Sequence, residues 1–444
     1  MNPLHAGLFG DPEIQALLSP EAEIAAMIRV EAALAEVQGR LGLIPTAAAR
    51  EIAAACAALT ITPDSLSEAA AKDGVPVPGL VKAMRAAIGG EAAQYLHWGA
   101  TSQDIVDTAL ALRLRDMLSL WEGRLAALTA ALARLADEHA DLPMAARTYA
   151  QVAVPTSFGA VAAGWGWPLL DHTQALEALR PRLLRVSLSG AAGTLSAMGP
   201  GGPEVRAALA EALDLSDPGR SWHSDRAGVV ALAGWAAGLA ASLGKLAEDL
   251  LLMTQSGLAL VRIEGAGGSS TMPQKQNPVG PSALAALSRA TLGAAAVLQG
   301  TGAHRQQRDG AAWFTEWLVL PQLALGIGAM LLRASEVLAR LSPDPLAMAA
   351  DLEAGHGTIH AEALTFAVTE AGLLPRDRAA SRIGALSRLA LAEGRELLTL
   401  AEAEWPGIDW RRALHRRMLG TAPDEARAFR QAAGTGRGGR PPSA

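Results

Sequence analysis

Apolar positions recur with a period near 3.6 over most of the chain, the spacing that lines one face of an α-helix. Pro20 and Glu21 open a segment in which Ile24, Met27, Ile28 and Leu34 keep that spacing, and Leu41-Gly42 with Pro45 beyond closes it. Shorter helices are predicted over 67–72 and 79–88, separated by the breaker run Gly74-Val75-Pro76-Val77-Pro78. A long periodic segment runs from Ser102 to about Ala140, ahead of Pro143. Further helices are predicted over 151–184, 203–213, 226–260, 278–302 and 314–341. No alternating β-branched run bounded by hairpin turns stands out, so the pattern predicts an all-α protein.

Three uncharged stretches, 148–170, 227–244 and 317–332, raise the question of membrane spans. Prolines 155, 168 and 321 interrupt two of them, and Gly and Ala dilute the third, so all three read as helices buried on most faces of a soluble bundle. Hydrophobic residues make up 50% of the 444 and charged residues 18%, which excludes a disordered polyelectrolyte. Aromatics are only 4%, leaving Ala, Leu and Val to build the core. A net charge of −6 argues against a nucleic-acid partner. One cysteine, Cys56, excludes an intrachain disulfide, and the start MNPLHAGLFGDPE lacks a signal peptide's basic and apolar regions, so a cytoplasmic location is expected.

Punctuation divides the chain. Gly89-Gly90 through Ser102 and Ser342-Pro343-Asp344-Pro345 predict three domains, 1–101, 102–342 and 343–444, with a Gly/Pro/Arg-rich tail from about 434 that reads as disordered. The central helices carry more apolar surface than one small bundle can bury, which predicts an oligomer.

Rare residues point to chemistry. Lysine occurs only at 72, 82, 245 and 275, and asparagine only at 2 and 277, yet Lys275 and Asn277 share the segment Gly267-Gly-Ser-Ser-Thr-Met-Pro-Gln-Lys-Gln-Asn-Pro278. Glycines at 265, 267 and 268 free the backbone to form an anion-binding concavity, to which the serines, Lys275 and Asn277 add donors. A Gly/Ser linker with Ser269 or Ser270 as a helix cap explains the glycines but not the rare Lys and Asn. His97-Trp-Gly-Ala-Thr-Ser-Gln-Asp104 leads into a helix, where Thr101, Ser102 and Asp104 serve either as caps or as a carboxylate site. Arg147-Thr-Tyr-Ala-Gln151 offers an arginine that pairs with an acid or with an anionic ligand. The run Trp222–Arg226 reads as a polar site or, in preference, a plain helix start; His304, Arg305, Arg308 and Asp309, ahead of Trp313 and Trp317, read as a pocket lining or, more commonly, as surface ion pairs beside a packed Trp. His356 and His360 lack a third ligand at a familiar zinc spacing, so no metal is expected.

The pattern G-S-S-x-M-P-x-K-x-N-P at Gly268–Pro278 resembles the signature loop of the fumarase/aspartase superfamily, and the other two clusters follow that superfamily's block order. Leu8–Ile14, Glu31–Leu34, Leu41–Pro45, Val77–Lys82 and Ser221–His223 are similar to its lactonising, cycloisomerase branch. The resemblance implies a three-domain helical subunit, a homotetramer with sites shared between subunits, a small tricarboxylate substrate and no cofactor. It assigns catalytic roles to Ser269, Lys275 and Asn277, and substrate contacts to His97, Thr101, Ser102, Arg147, Tyr149, Gln151, Ser270 and Met272. Tyr149 stands where the superfamily's amine-releasing lyases have a histidine that assists the leaving group. A fumarate-releasing lyase, such as an adenylosuccinate lyase, and a catalytically silent structural relative are the alternatives.

Overall fold

The computed structural model describes residues 2–265, 267–268, 271–272, 275–415 and 417–435. Helices dominate, as the periodicity predicts. Five are long: Ser102–Glu138, Phe158–Leu183, Ala227–Met253, Val279–Gly300 and Gly310–Leu338. Contacts divide the chain into two compact units. Met1–Arg124, His172–Ala241 and Ala286–Leu332 form the first; Leu125–Asp171, Ser242–Ala285 and Arg333–Ala444 form the second.

In the first unit, the Pro20–Arg40 helix starts with Ser19 Oγ accepting from the Ala22 amide at 3.1 Å and with proline at the position that needs no amide donor. Its buried stripe of Ile24, Met27, Ile28 and Leu34 joins Ile52 and Cys56 of Thr46–Ala58 and Leu80 and Met84 of Val77–Ile88 in one core. The Thr46–Ala58 helix is absent from the sequence prediction because alanines fill most of it and leave only Ile52 and Cys56 as larger apolar markers of its buried face. In the second unit, Leu364, Ile383, Leu386, Leu397, Leu400 and Trp410 close a separate core among the shorter helices after 360.

The structure corrects the helix expected over 151–184. Gln151–Ser157 is a strand (β2) paired antiparallel with Pro143–Thr148 (β1), and the helix begins only at Phe158. Val152, Val154 and Thr156 are β-branched at alternate positions, and Pro155 is incompatible with a helix interior. Ser157 Oγ, accepting from the Ala160 amide at 3.1 Å, is the true helix start. The helices expected to reach 260 and 341 likewise stop at Met253 and Leu338, and Val261–Ile263 pairs with Leu341–Pro343. A backbone φ of +91° at Gly257 makes that turn.

The apolar helices are less enclosed than expected. Ala227–Met253, Val279–Gly300 and Gly310–Leu338 are long and apolar enough to cross a membrane by length and composition, and 44%, 50% and 50% of their apolar windows are buried within this chain. The stretch 148–170 belongs to the hairpin and the helix after it. Of the expected disordered tail, Gly434 and Thr435 end a helix, and 436–444 lie outside the described residues.

Candidate active site

The first unit positions the His97–Asp104 block before the Ser102–Glu138 helix. Asp104 is fully buried, and its carboxylate accepts from the amides of Thr101 (3.0 Å), Ser189 (2.8 Å) and Gly190 (2.9 Å) and from His223 Nε2 (2.7 Å). The acid thus caps the helix by reaching back to Thr101. Gly99, at φ +73°, lies so close to Met198 that a Cβ would sit 2.7 Å from its Cγ. His97 adopts φ +63° and donates from Nδ1 to Glu31 Oε1 at 2.6 Å. Burial opposes the imidazolium, but the Glu31 carboxylate outweighs it and raises the His97 pKa above its ordinary 6.5. Ser102 and His97 line a cavity with Lys82 and Arg85.

Beneath this block lies a buried ionic network. Gln103 Nε2 donates to Asp107 Oδ2 at 3.1 Å and to the His223 carbonyl at 2.9 Å, while its Oε1 accepts from Arg308 Nε at 2.8 Å. Arg226, fully buried, bridges Asp107 (2.7 and 3.1 Å) and Glu316 (2.8 and 2.5 Å), with Trp222 stacked 4.9 Å from its guanidinium. Burial disfavours that charge, yet the two carboxylates hold the Arg226 pKa above the ordinary arginine range. The expectation of a plain helix start at 222–226 is therefore incomplete. Asp225 does accept from the Ala227 amide at 3.2 Å, but His223 and Arg226 belong to the network. Of the expected surface pairs at 304–309, Arg305–Asp309 forms at 2.5 Å, whereas Arg308 turns to Gln103. His304 is buried 3.8 Å from Glu316.

In the second unit, Thr148 pairs with Gln151, so Tyr149 and Ala150 are the two central residues of a tight hairpin turn. Their φ values of +50° and +61° are those of a type I′ turn, usually built from Asn and Gly. Two L-residues held there store strain of about 1–3 kcal/mol each. Tyr149 is fully exposed at this tip, with Gln151 also exposed. Of the two alternatives left open for Arg147, the structure has the acid: Arg147 Nη2 donates to Asp351 at 2.6 and 2.8 Å.

The signature segment lies in the same unit. Gly267 pairs with Asn277 and Gly268 with Gln276, closing the loop at its base. A Cβ at Gly267 would meet Val279 Cγ2 at 2.7 Å, so the close approach needs glycine. Lys275 donates its amide to the Met272 carbonyl at 3.0 Å, and its side chain is exposed, as are Met272 and Thr271. Ser269 and Ser270 lie outside the described residues. Pro278 precedes the first helical residue, Val279. Among the described residues, no cluster of three metal-binding side chains occurs. His356 instead faces Glu396 at 3.5 Å.

Sequence reasoning gave no site role to Glu31, Lys82 and Arg85, and it favoured a helix start for Arg226 and a surface ion pair for Arg308 over a place in a site. Glu31 was visible in principle, because it occupies a core-facing position between Ile28 and Leu34.

A mainly helical chain that carries the His97–Asp104 and Arg147–Gln151 blocks and the Gly267–Pro278 segment fits the lyase class to which the comparisons lead. A family model described as a lyase matches residues 14–313, and the chain belongs to that family, the fumarase/aspartase superfamily. It is 38% identical over 402 residues to the 3-carboxy-cis,cis-muconate cycloisomerase of Pseudomonas aeruginosa, covering 89% of this chain and 87% of that protein. Trans-aconitate decarboxylase 1 of Mycosarcoma maydis is 34% identical over 88% of this chain and 80% of its own length. The crystal structure of the 3-carboxy-cis,cis-muconate lactonizing enzyme from Pseudomonas putida aligns with a TM-score of 0.90 at 33% identity, covering 98% of this chain and all of that one.

Proposed function

We propose that this chain catalyses the reversible cycloisomerisation of 3-carboxy-cis,cis-muconate to a carboxymuconolactone. The observation that carries this is the 38% identity, over nearly the whole chain, to an enzyme named for that reaction. Tyr149 supports it on chemical grounds. An amine leaving group is a strong base and gains from a histidine acid. In lactone opening the leaving group is a carboxylate, whose reference pKa of about 4 lets it depart unprotonated at neutral pH.

In the proposed mechanism one terminal carboxylate adds across a double bond. The displaced electron pair moves onto the carboxylate at the other end, giving an aci-carboxylate. Lys275, Asn277 and loop amides stabilise that charge, and loss of one such donor costs about 3–4 kcal/mol in the transition state. Ser269 then delivers its proton to the α-carbon, and its alkoxide takes the proton back in the reverse direction. Thr101 and Ser102 hold substrate carboxylates, and Arg147, whose Nη2 pairs with Asp351, turns its remaining N–H donors to another, with His97, Tyr149, Gln151, Ser270 and Met272 around them. No cofactor enters this scheme.

The working unit is proposed to be a homotetramer in which one site draws its three blocks from three subunits. Half-exposed apolar helices and the strained, fully exposed tip at Tyr149 support that reading. Subunit complementation tests it: Ser269→Ala and Arg147→Met chains, each inactive alone, regain part of the activity when co-assembled. Mixtures that stay as inactive as their parents would contradict shared sites.

A further inference from the structure

The cavity beside the first block adds two cationic side chains, Lys82 and Arg85, to Ser102 and His97 of the block. Its volume is about 410 Å³, and its lining combines the apolar Val77 and Val81 with Lys82, Arg85, His97 and Ser102. Lys82 is one of four lysines in a chain that otherwise relies on 34 arginines. Among the described residues, neither Lys82 nor Arg85 has a carboxylate partner. Arg85 Nη2 donates to the Leu96 carbonyl at 3.0 Å, which fixes the guanidinium beside the block. Arg85 is close enough to His97 to disfavour charging of that imidazole. No acid lines the cavity among the described residues, and the two carboxylates that act on His97 are engaged elsewhere: Glu31 Oε1 by His97 itself, Asp104 by three backbone amides and His223. Positive charges gathered at an open cavity with no free acid in its lining repel each other, and an anionic ligand relieves that repulsion.

We propose that this cavity is the subsite for the substrate's 3-carboxylate, with Lys82 and Arg85 as its cationic wall and Ser102 as a hydroxyl donor. The proposal rests on the cycloisomerase reading above, adds Lys82 and Arg85 to it, and says which carboxylate Ser102 meets. The chemistry selects this carboxylate from the three. One of the other two must act as a nucleophile, which tight ion pairing would blunt. The last accumulates charge in the transition state and is served by the Lys275–Asn277 loop. The 3-carboxylate takes no part in bond making, so a permanent cationic pocket holds it equally in substrate and transition state.

The test compares propane-1,2,3-tricarboxylate with glutarate, which lacks the central carboxylate, on the full-length enzyme. Wild type is expected to bind the tricarboxylate about 10- to 100-fold more tightly, the value of one charge-assisted contact. Lys82→Met should lose that preference while keeping its affinity for glutarate, and Lys82→Arg should retain part of it. With 3-carboxy-cis,cis-muconate, Lys82→Met should raise KM by a similar factor and leave kcat within a few-fold, the signature of lost uniform binding. Lys82 is exposed on its helix, so an unchanged melting temperature is expected and separates the effect from misfolding. A variant that keeps the tricarboxylate preference, or that loses kcat at constant KM, overturns the proposal. Wild type that turns the muconate over without any tricarboxylate preference overturns the subsite alone. Absence of turnover with the preference intact overturns the reaction and leaves a tricarboxylate site.

Discussion

Asp104 and Tyr149 each sit in a block that the family resemblance places at the active site, and their surroundings are opposites. Asp104 is buried and accepts four hydrogen bonds, over a network in which Arg226 joins two further carboxylates. Tyr149 stands in solvent on a turn with two left-handed residues, in a hairpin tied down by the Arg147–Asp351 pair. A backbone fixed by buried, charge-assisted bonds holds its shape within a single chain. An exposed and strained turn gains its purpose from what packs over it, which in the proposed tetramer is another subunit.

Several experiments break or sharpen this contrast. The largest effect belongs to the loop that does the chemistry: Ser269→Ala should lower kcat by about 10²–10⁴-fold without changing the assembled mass, and near-normal turnover would remove Ser269 from the mechanism. Next comes the buried side. Arg226→Met leaves Asp107 and Glu316 buried without their cation and should cost about 3–5 kcal/mol in denaturant unfolding. A loss below about 1 kcal/mol would mean that the network adds little rigidity.

The His97–Glu31 pair gives a pH signature. The folded-state pKa of His97 is raised, so the pair's contribution is complete below the unfolded value of about 6.5 and fades as pH rises through the folded value. The melting-temperature gap between wild type and His97→Gln should therefore be larger at pH 6 than at pH 9. A gap independent of pH would contradict the pairing. At the exposed turn, Tyr149→Gly relieves positive-φ strain and should be neutral or stabilising by about 1 kcal/mol while raising KM. Destabilisation would show that the ring is packed rather than free. The smallest effect is at Cys56, whose thiol is pushed up to about 11 by burial and by Glu31 and Glu36. It should resist thiol reagents at pH 8 in the folded protein, and rapid labelling would reveal local opening.

The helical class and the signature segment were legible because each rests on local information. Periodicity placed the Pro20–Arg40 and Ser102–Glu138 helices, and the scarcity of Lys and Asn singled out Lys275 and Asn277. The hairpin was missed where two codes overlap. Residues 151–157 are apolar enough to extend the following helix, and only Val152, Val154 and Pro155 mark a strand. The ionic network was illegible for a different reason. Asp107, Arg226 and Glu316 are separated by 119 and 90 positions, and only the packed helices bring them together. Lys82 likewise looks like a surface lysine until His97 and Arg85 appear beside it.

The central claim is tested most directly by the ultraviolet absorbance of 3-carboxy-cis,cis-muconate incubated with the purified protein. Loss of the conjugated-diene band with no fumarate formed is the predicted result. An unchanged band, followed by fumarate release from adenylosuccinate or argininosuccinate, would contradict the cycloisomerase assignment.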